Sequence, residues 1–238
     1  MTWKGTTVEL SRRSFVSTAL AGGAAALAAG FAQTARADEA EAGLATLPLA
    51  ETDPNSERGC DVNINMATID QYLGRPEVAY RDVRHLYTTD EAGNPVVDLA
   101  STIQGFKIVP YIKLAPMSAD SVSGDELFTL EWDADGNIVS ATPNYVESEL
   151  VVRDLFPQDR PVFLMCTSGG RASMARNLLL FLGWNPELVY NIGGQKDYKG
   201  KNLLEIVSYP VRRGGEDIHA VWRADYANID TAFLHPVE

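Results

Sequence analysis

Cysteine is nearly missing from this chain: Cys60 and Cys166 are the only two in 238 residues. Two thiols cannot build the disulfide framework of a small secreted scaffold, and their spacing suits no metal cluster, so neither a metal nor an organic cofactor is implied. Basic residues are also short, 20 Lys and Arg against 32 Asp and Glu, for a net charge of -12. That balance argues against nucleic acid as a partner. A membrane span needs roughly 20 strongly apolar residues, and the nearest candidate, Ala19 to Ala32, is mostly Ala and Gly. Beyond that stretch the chain has no internal repeat and no low-complexity tract.

At the N-terminus, Ser11-Arg12-Arg13-Ser14-Phe15-Val16 sets two adjacent arginines before the weakly apolar stretch, which ends in Ala35-Arg36-Ala37 with small residues flanking a cut. The pattern resembles a twin-arginine (Tat) signal peptide over residues 1–37. An uncleaved anchor is the alternative, and the Ala and Gly composition disfavours it. The expectation is export to the periplasm, cell envelope or exterior of a domain that folds in the cytoplasm, with no membrane span left after cleavage. The mature chain, about 200 residues from Asp38, is one ordinary domain in size. Losing Lys4, Arg12, Arg13 and Arg36 against only Glu9 makes it more acidic than the full chain. In an oxidising compartment a reactive thiol faces disulfide formation unless a redox partner protein reduces it.

Residues 38–58 are rich in Ala, Glu, Asp, Pro and Ser without period, and read as a flexible acidic arm before a domain spanning 59–238. Within that domain the pattern predicts a short helix at Met66 to Leu73 and a strand at Val78 to Val83. A turn follows at Ala92-Gly93-Asn94-Pro95, then an extended segment at Phe106 to Leu114. Leu127 to Trp132 and Ile138 to Ala141, joined by Asp133-Ala134-Asp135-Gly136-Asn137, read as a β-hairpin within an insertion around 118–145. The acidic turn hints at calcium, but its glycine comes one place early and no closing Glu follows. Val146 to Phe156 and Ala172 to Leu182 have helical spacing, the second stopped by Gly183. Val162 to Met165 and Leu188 to Ile192 are short apolar strands. Alternating helices and buried strands predict an α/β fold, a parallel sheet with helices on both faces. From about Gly200 onward, a C-terminal extension, no topology is legible.

The chemistry concentrates in Val162 to Ser173, which reads strand, cysteine, glycine-containing loop, helix. Such a loop at a helix N-terminus turns backbone N–H groups inward, and with the helix dipole it stabilises an anion at its centre. Here the anion is the sulfur of Cys166, nucleophilic as thiolate. Gly169 and Gly170 permit a tight turn, and Arg171 offers a cationic fork suited to an oxyanion. Thr167 and Ser168 complete the anion-binding loop.

These residues resemble the rhodanese (sulfurtransferase) family, whose active-site loop runs Cys-x-Ser-Gly-x-Arg into a helix; positions 166, 168, 169 and 171 match. The likeness extends through Leu179, Gly183, Val189 and Gly193-Gly194, and upstream to Asp82-Val83-Arg84, similar to the family's Asp-x-Arg. It covers about residues 62 to 200, with a gap where Gly105-Phe106-Lys107-Ile108-Val109-Pro110 replaces the family's histidine-containing stretch. The resemblance implies that Cys166 takes a sulfane sulfur from a small anionic donor such as thiosulfate, holds it as a persulfide, and passes it to a thiol or cyanide acceptor. Amides that stabilise the thiolate serve the anionic persulfide equally.

Plainer readings stand beside each of these. Cys166 is a small buried hydrophobe, Arg171 a surface residue, and Asp82 with Arg84 a supporting salt bridge that orders the loop. His85 is a candidate base. Cys60 is an incidental thiol, a disulfide partner of Cys166 or a resolving thiol. Two other functions compete with sulfur transfer. A cysteine phosphatase or arsenate reductase needs five residues between cysteine and arginine, whereas four separate Cys166 from Arg171. A non-catalytic rhodanese-like binding or sulfur-carrier module is the other.

Overall fold

All five residues of Val162-Phe163-Leu164-Met165-Cys166 are buried. Because successive strand side chains point to opposite faces, Val162, Leu164 and Cys166 enter one core while Phe163 and Met165 enter another. A strand apolar on both faces belongs in the middle of a covered parallel sheet. The computed structural model, which describes residues 46–89, 91, 95–213 and 216–238, has that arrangement. Residues 46–238 form one unit.

In chain order the strands are β1 (Ala79–Asp82), β2 (Tyr87–Thr89), β3 (Pro95–Val97), β4 (Ser101–Ile103), β5 (Lys107–Ile108), β6 (Phe128–Trp132), β7 (Ile138–Pro143), β8 (Val162–Cys166), β9 (Val189–Gly194), β10 (Leu203–Glu205), β11 (Val207–Arg213), β12 (Glu216–Trp222) and β13 (Asp225–Tyr226). The α-helices are α1 (Tyr111–Leu114), α2 (Ser148–Leu155) and α3 (Gly170–Phe181). The central sheet has the order β13-β5-β1-β8-β9, and each neighbouring pair in it is parallel. Small antiparallel pairs, β2 with β3, β4 with β10, β6 with β7 and β11 with β12, surround it. This is a mixed α/β fold with a parallel sheet flanked by helices and hairpins.

From β1 the chain moves to β5 on one side and then to β8 on the other, so the strand order reverses between β1 and β8. At such a switch point a crevice opens outside the carboxyl ends of the strands. Asp82 ends β1 and Cys166 ends β8, with Asp82 opposite Met165 in the register.

On one face α2 and α3 pack Val152, Leu155, Ala172, Ala175, Leu178 and Leu179 against the sheet. The other face differs from the predicted helical cover. It is closed by the chain from Ile64 to Leu73 and by Tyr198, and the only helical piece of the predicted 66–73 helix is a 3-10 turn at Ile69–Gln71. Asn65 and Thr68 cap the segment as at a helix N-terminus: Asn65 Oδ1 accepts from the Ala67 amide and Thr68 Oγ1 from the Asn65 amide. The amides that follow bond three residues back, Gln71 to Thr68 O and Tyr72 to Ile69 O, and Gly74 at φ of +76° ends the turn. Tyr80, Phe163 and Tyr190 line this second core, with ring centroids 5.6 and 4.8 Å apart along the series. Each ring so buried contributes about 1.5–3 kcal/mol.

Three further expectations change. Phe106 to Leu114 is not one extended segment, because after β5 the chain turns at Pro110, whose φ of -60° leads into α1. Residues 46–58 of the expected flexible arm are fastened down: Leu47 and Ala50 pack on the second core. The Ala50 amide donates to Glu187 O at 3.0 Å and the Tyr190 hydroxyl to Pro48 O at 2.8 Å. Polar composition hid a backbone that borders β9. Beyond Gly200, β10 pairs with β4, β11 and β12 form a hairpin, and β13 returns to the sheet edge beside β5.

The β6–β7 hairpin lies where the sequence predicts it, its turn closed by Asp133 Oδ1, which accepts from the Asp135 and Asn137 amides at 2.9 and 2.8 Å. The predicted leader at 1–37, the first part of the arm and residues 92–94 of the predicted turn lie outside the described residues. Among the described residues no helix is long and apolar enough to cross a membrane.

Candidate functional site

The candidate site lies at the switch point between β1 and β8 and is built around the end of β8. Cys166 is the last residue of that strand and only 1% exposed. The chain then turns through Thr167 and Ser168 to Gly169, whose φ of +92° is open to glycine at little cost. Gly170 starts α3. This turn brings the Gly169 N–H back onto the sulfur, 3.1 Å from Cys166 Sγ. A backbone donor and the positive end of a helix dipole therefore both face the sulfur.

The loop is seated on β9. Cys166 pairs with Gly194 in the β8–β9 register, and a methyl group at Gly194 would lie 2.3 Å from Ser168 Cα and 2.4 Å from Thr167 O. Only glycine lets the two backbones meet. The Lys196 amide adds a 3.2 Å bond to Thr167 O.

Arg171 does not point at the thiol. Its Nη2 donates to Thr167 Oγ1 at 3.0 Å, and its Nη1 lies 3.1 Å from His85 Nδ1. Since a guanidinium only donates, His85 accepts through Nδ1 and carries its proton on Nε2, which faces Asp98 Oδ2 at 3.3 Å. Asp98 and His85 thus hold Arg171 beside Thr167 at the rim of the loop. Nothing in this geometry brings His85 to the sulfur as a base.

Asp82 and Arg84 form a buried brace. Arg84 Nε and Nη2 donate to the two carboxylate oxygens of Asp82 at 2.8 and 2.5 Å. Nη2 also donates to Ser101 O and Nη1 to Gln195 Oε1. Thr102 Oγ1 donates to Asp82 Oδ2 at 2.8 Å. With these bonds made, the pair acts on the loop through Gln195 and the neighbouring Lys196 amide.

Sequence reasoning missed Asn191 and Arg58 and left open what Cys60 does. Asn191 is 1% exposed; its Nδ2 donates to Arg58 O at 2.7 Å and Gly169 O at 3.2 Å, and its Oδ1 accepts from the Gly193 amide at 3.1 Å. Arg58 extends over the start of α3, so that a methyl group at Gly170 would fall 2.7 Å from its Nη1. Cys60 Sγ would lie 3.2 Å from a methyl group at Gly169 and 3.5 Å from one at Gly193. Arg58 and Cys60 sit in or beside the segment whose composition reads as solvated, and no local pattern marks them. Asn191 stands in an apolar strand, where a polar residue was the one available signal.

A groove of about 400 Å³ lined by Met117, Trp132, Ile138 and Met174, among others, contains none of the loop residues. Among the described residues no group of three His, Cys, Asp or Glu side chains is placed to hold a metal ion. Comparison with family models, with curated proteins and with solved structures finds no match for this chain.

Proposed function

We propose that the domain is rhodanese-like and that the protein is a sulfurtransferase, with Cys166 as nucleophile. The Cys166 thiolate attacks the outer sulfur of a donor such as thiosulfate. A new S–S bond forms, the donor S–S bond breaks, and sulfite leaves with the electron pair. The persulfide then gives its outer sulfur to a thiol or to cyanide, and the Cys166 thiolate is regenerated. The observation that carries this reading is the Gly169 N–H directed at Cys166 Sγ from 3.1 Å at the head of α3. The same donor and dipole serve the thiolate before transfer and the persulfide after it. Arg171 at the rim supplies a cationic fork for the departing oxyanion. A thiol buried to 1% exposure suits a small donor that presents a terminal sulfur, as thiosulfate does, rather than a bulky one.

Burial of Cys166 also favours a second reading, a non-catalytic binding module in which the thiol packs as a small hydrophobe. Intact mass after thiosulfate treatment separates the two. Wild type gains about 32 Da, reversed by cyanide or reductant, and Cys166→Ser gains nothing. A folded, reduced wild type that takes no sulfur overturns the transfer reading. The leader motif at Arg12 and Arg13 supports export by the twin-arginine route; Arg12→Lys with Arg13→Lys is expected to retain the precursor in the cytoplasm, and unchanged export would exclude that route.

A further inference from the structure

We infer that Cys60 is a second sulfur-carrying thiol, which takes the sulfane sulfur from Cys166 and presents it to the acceptor. The inference rests on the sulfur-transfer reading above. Both thiols are free, and both pack against Gly169. Its amide lies 3.1 Å from Cys166 Sγ, and the position a Cβ would take lies 3.2 Å from Cys60 Sγ. Gly193, on the neighbouring strand β9, also leaves its side-chain space to Cys60 Sγ. Both sulfurs therefore border Gly169, and a persulfide on Cys166 carries its outer sulfur about 2 Å beyond Sγ.

Exposure gives the direction. Cys166 is buried, whereas Cys60 is partly exposed, so an acceptor too large to reach Cys166 can reach Cys60. The segment is held in register for this. Asn191 fixes the carbonyl of Arg58 beside that of Gly169, the Asp61 amide donates to Asn191 O at 2.7 Å and the Asp53 amide to Cys60 O at 2.8 Å. The Arg58 guanidinium over Gly170 places a positive charge beside the path of an anionic sulfur.

The step balances without an oxidant. The Cys60 thiolate bonds to the outer sulfur of the Cys166 persulfide, the bond from that sulfur to Cys166 breaks, and its electron pair remains on Cys166 as thiolate. One persulfide is exchanged for another, and the sulfur keeps its oxidation level.

The test treats the reduced chain from residue 38, as wild type, Cys60→Ser and Cys166→Ser, with one equivalent of thiosulfate. Persulfides are trapped with an alkylating agent that preserves the S–S bond, and the digested peptides are mapped by mass. Wild type is expected to carry the gain of about 32 Da on both the Cys60 and the Cys166 peptides, Cys60→Ser on Cys166 alone, and Cys166→Ser on neither. The wild-type division between the two peptides is expected to stay constant over a tenfold dilution. Label confined to Cys166 in the wild type would overturn the relay and leave the sulfur-transfer reading intact. Label on Cys60 in Cys166→Ser, or a Cys60 share that falls with dilution, would also overturn it. Absence of label on every peptide would remove both.

Discussion

Gly194→Ala tests how the cysteine loop is held. Gly194 has φ of -116° and ψ of 132°, a conformation any residue adopts, so the substitution introduces no backbone strain. It does introduce a Cβ placed 2.3 Å from Ser168 Cα, 2.4 Å from Thr167 O and 2.6 Å from Ser168 N. All three are backbone atoms and cannot rotate away. Restoring ordinary contact requires the loop to move by about 1 Å, and overpacking of this kind costs about 1–3 kcal/mol. A displacement of about 1 Å at a reacting centre costs on the order of 100-fold in rate. The Gly169 amide bond to Cys166 Sγ lies within the displaced loop. The assay pairs urea unfolding with the single-turnover rate of persulfide formation. Gly183→Ala is the control, because Gly183 has φ of +95° with nothing near its Cβ position; it is expected to lose stability and keep its rate. Wild-type rate and stability in Gly194→Ala would refute the seating of the loop on β9.

Arg171→Lys replaces a fork bonded to Thr167 and His85 by a point charge; KM for thiosulfate is expected to rise about 10-fold, and Arg171→Ala to do worse, in steady-state sulfite release. Asp82→Ala leaves the buried Arg84 without its carboxylate and is expected to cost about 3–5 kcal/mol in urea unfolding. At Glu126, burial raises the carboxyl pKa, but bonds from the Ser123 and Gly124 amides outweigh it and hold the value below the usual 4.5. A depressed carboxyl contributes stability above the unfolded value and loses it as pH falls through the folded one. The urea midpoints of wild type and Glu126→Gln should therefore converge on acidification below about pH 4.5, whereas a constant gap would contradict this. Asn191→Leu leaves the carbonyls of Arg58 and Gly169 and the amide of Gly193 without their partner, so cleavage by trypsin at Arg58 is expected to quicken at least 10-fold, with about 1–3 kcal/mol lost per unsatisfied group.

What was legible in the sequence follows the range over which each cause acts. The β8 strand, the cysteine loop and α3 were readable because apolar periodicity and the Ser168-Gly169-Gly170 turn are local. The β6–β7 hairpin was readable for the same reason, through Asp133 and Gly136. The 66–73 segment misled because Asn65 and Thr68 open a 3-10 turn with the same capping bonds that open a helix, and the apolar pattern does not distinguish the two over so few residues. After Gly200, β10 and β13 escaped because they are short, at three and two residues. They owe their state to partners far off in the chain, Ser101 to Ile103 and Lys107 to Ile108.

The largest difference concerns the segment around Arg58 to Cys60, and Gly193-Gly194 accounts for it. A strand end with two consecutive glycines has no side chains to keep other backbones away. At Gly194 the vacated space is taken by the cysteine loop, and at Gly193 by Cys60 Sγ and Met66. One pair of missing side chains thereby admits both thiol-bearing segments to the same strand end. Hydrophobicity cannot forecast this, since Arg58 and Gly59 are polar or small and the attachment runs through Asn191 and backbone carbonyls. A glycine pair at the carboxyl end of the edge strand β9 is thus evidence of close approach by neighbouring backbone. Here it is the reason that a cysteine next to an acidic, proline-containing stretch packs at the same strand end as the Cys166 loop.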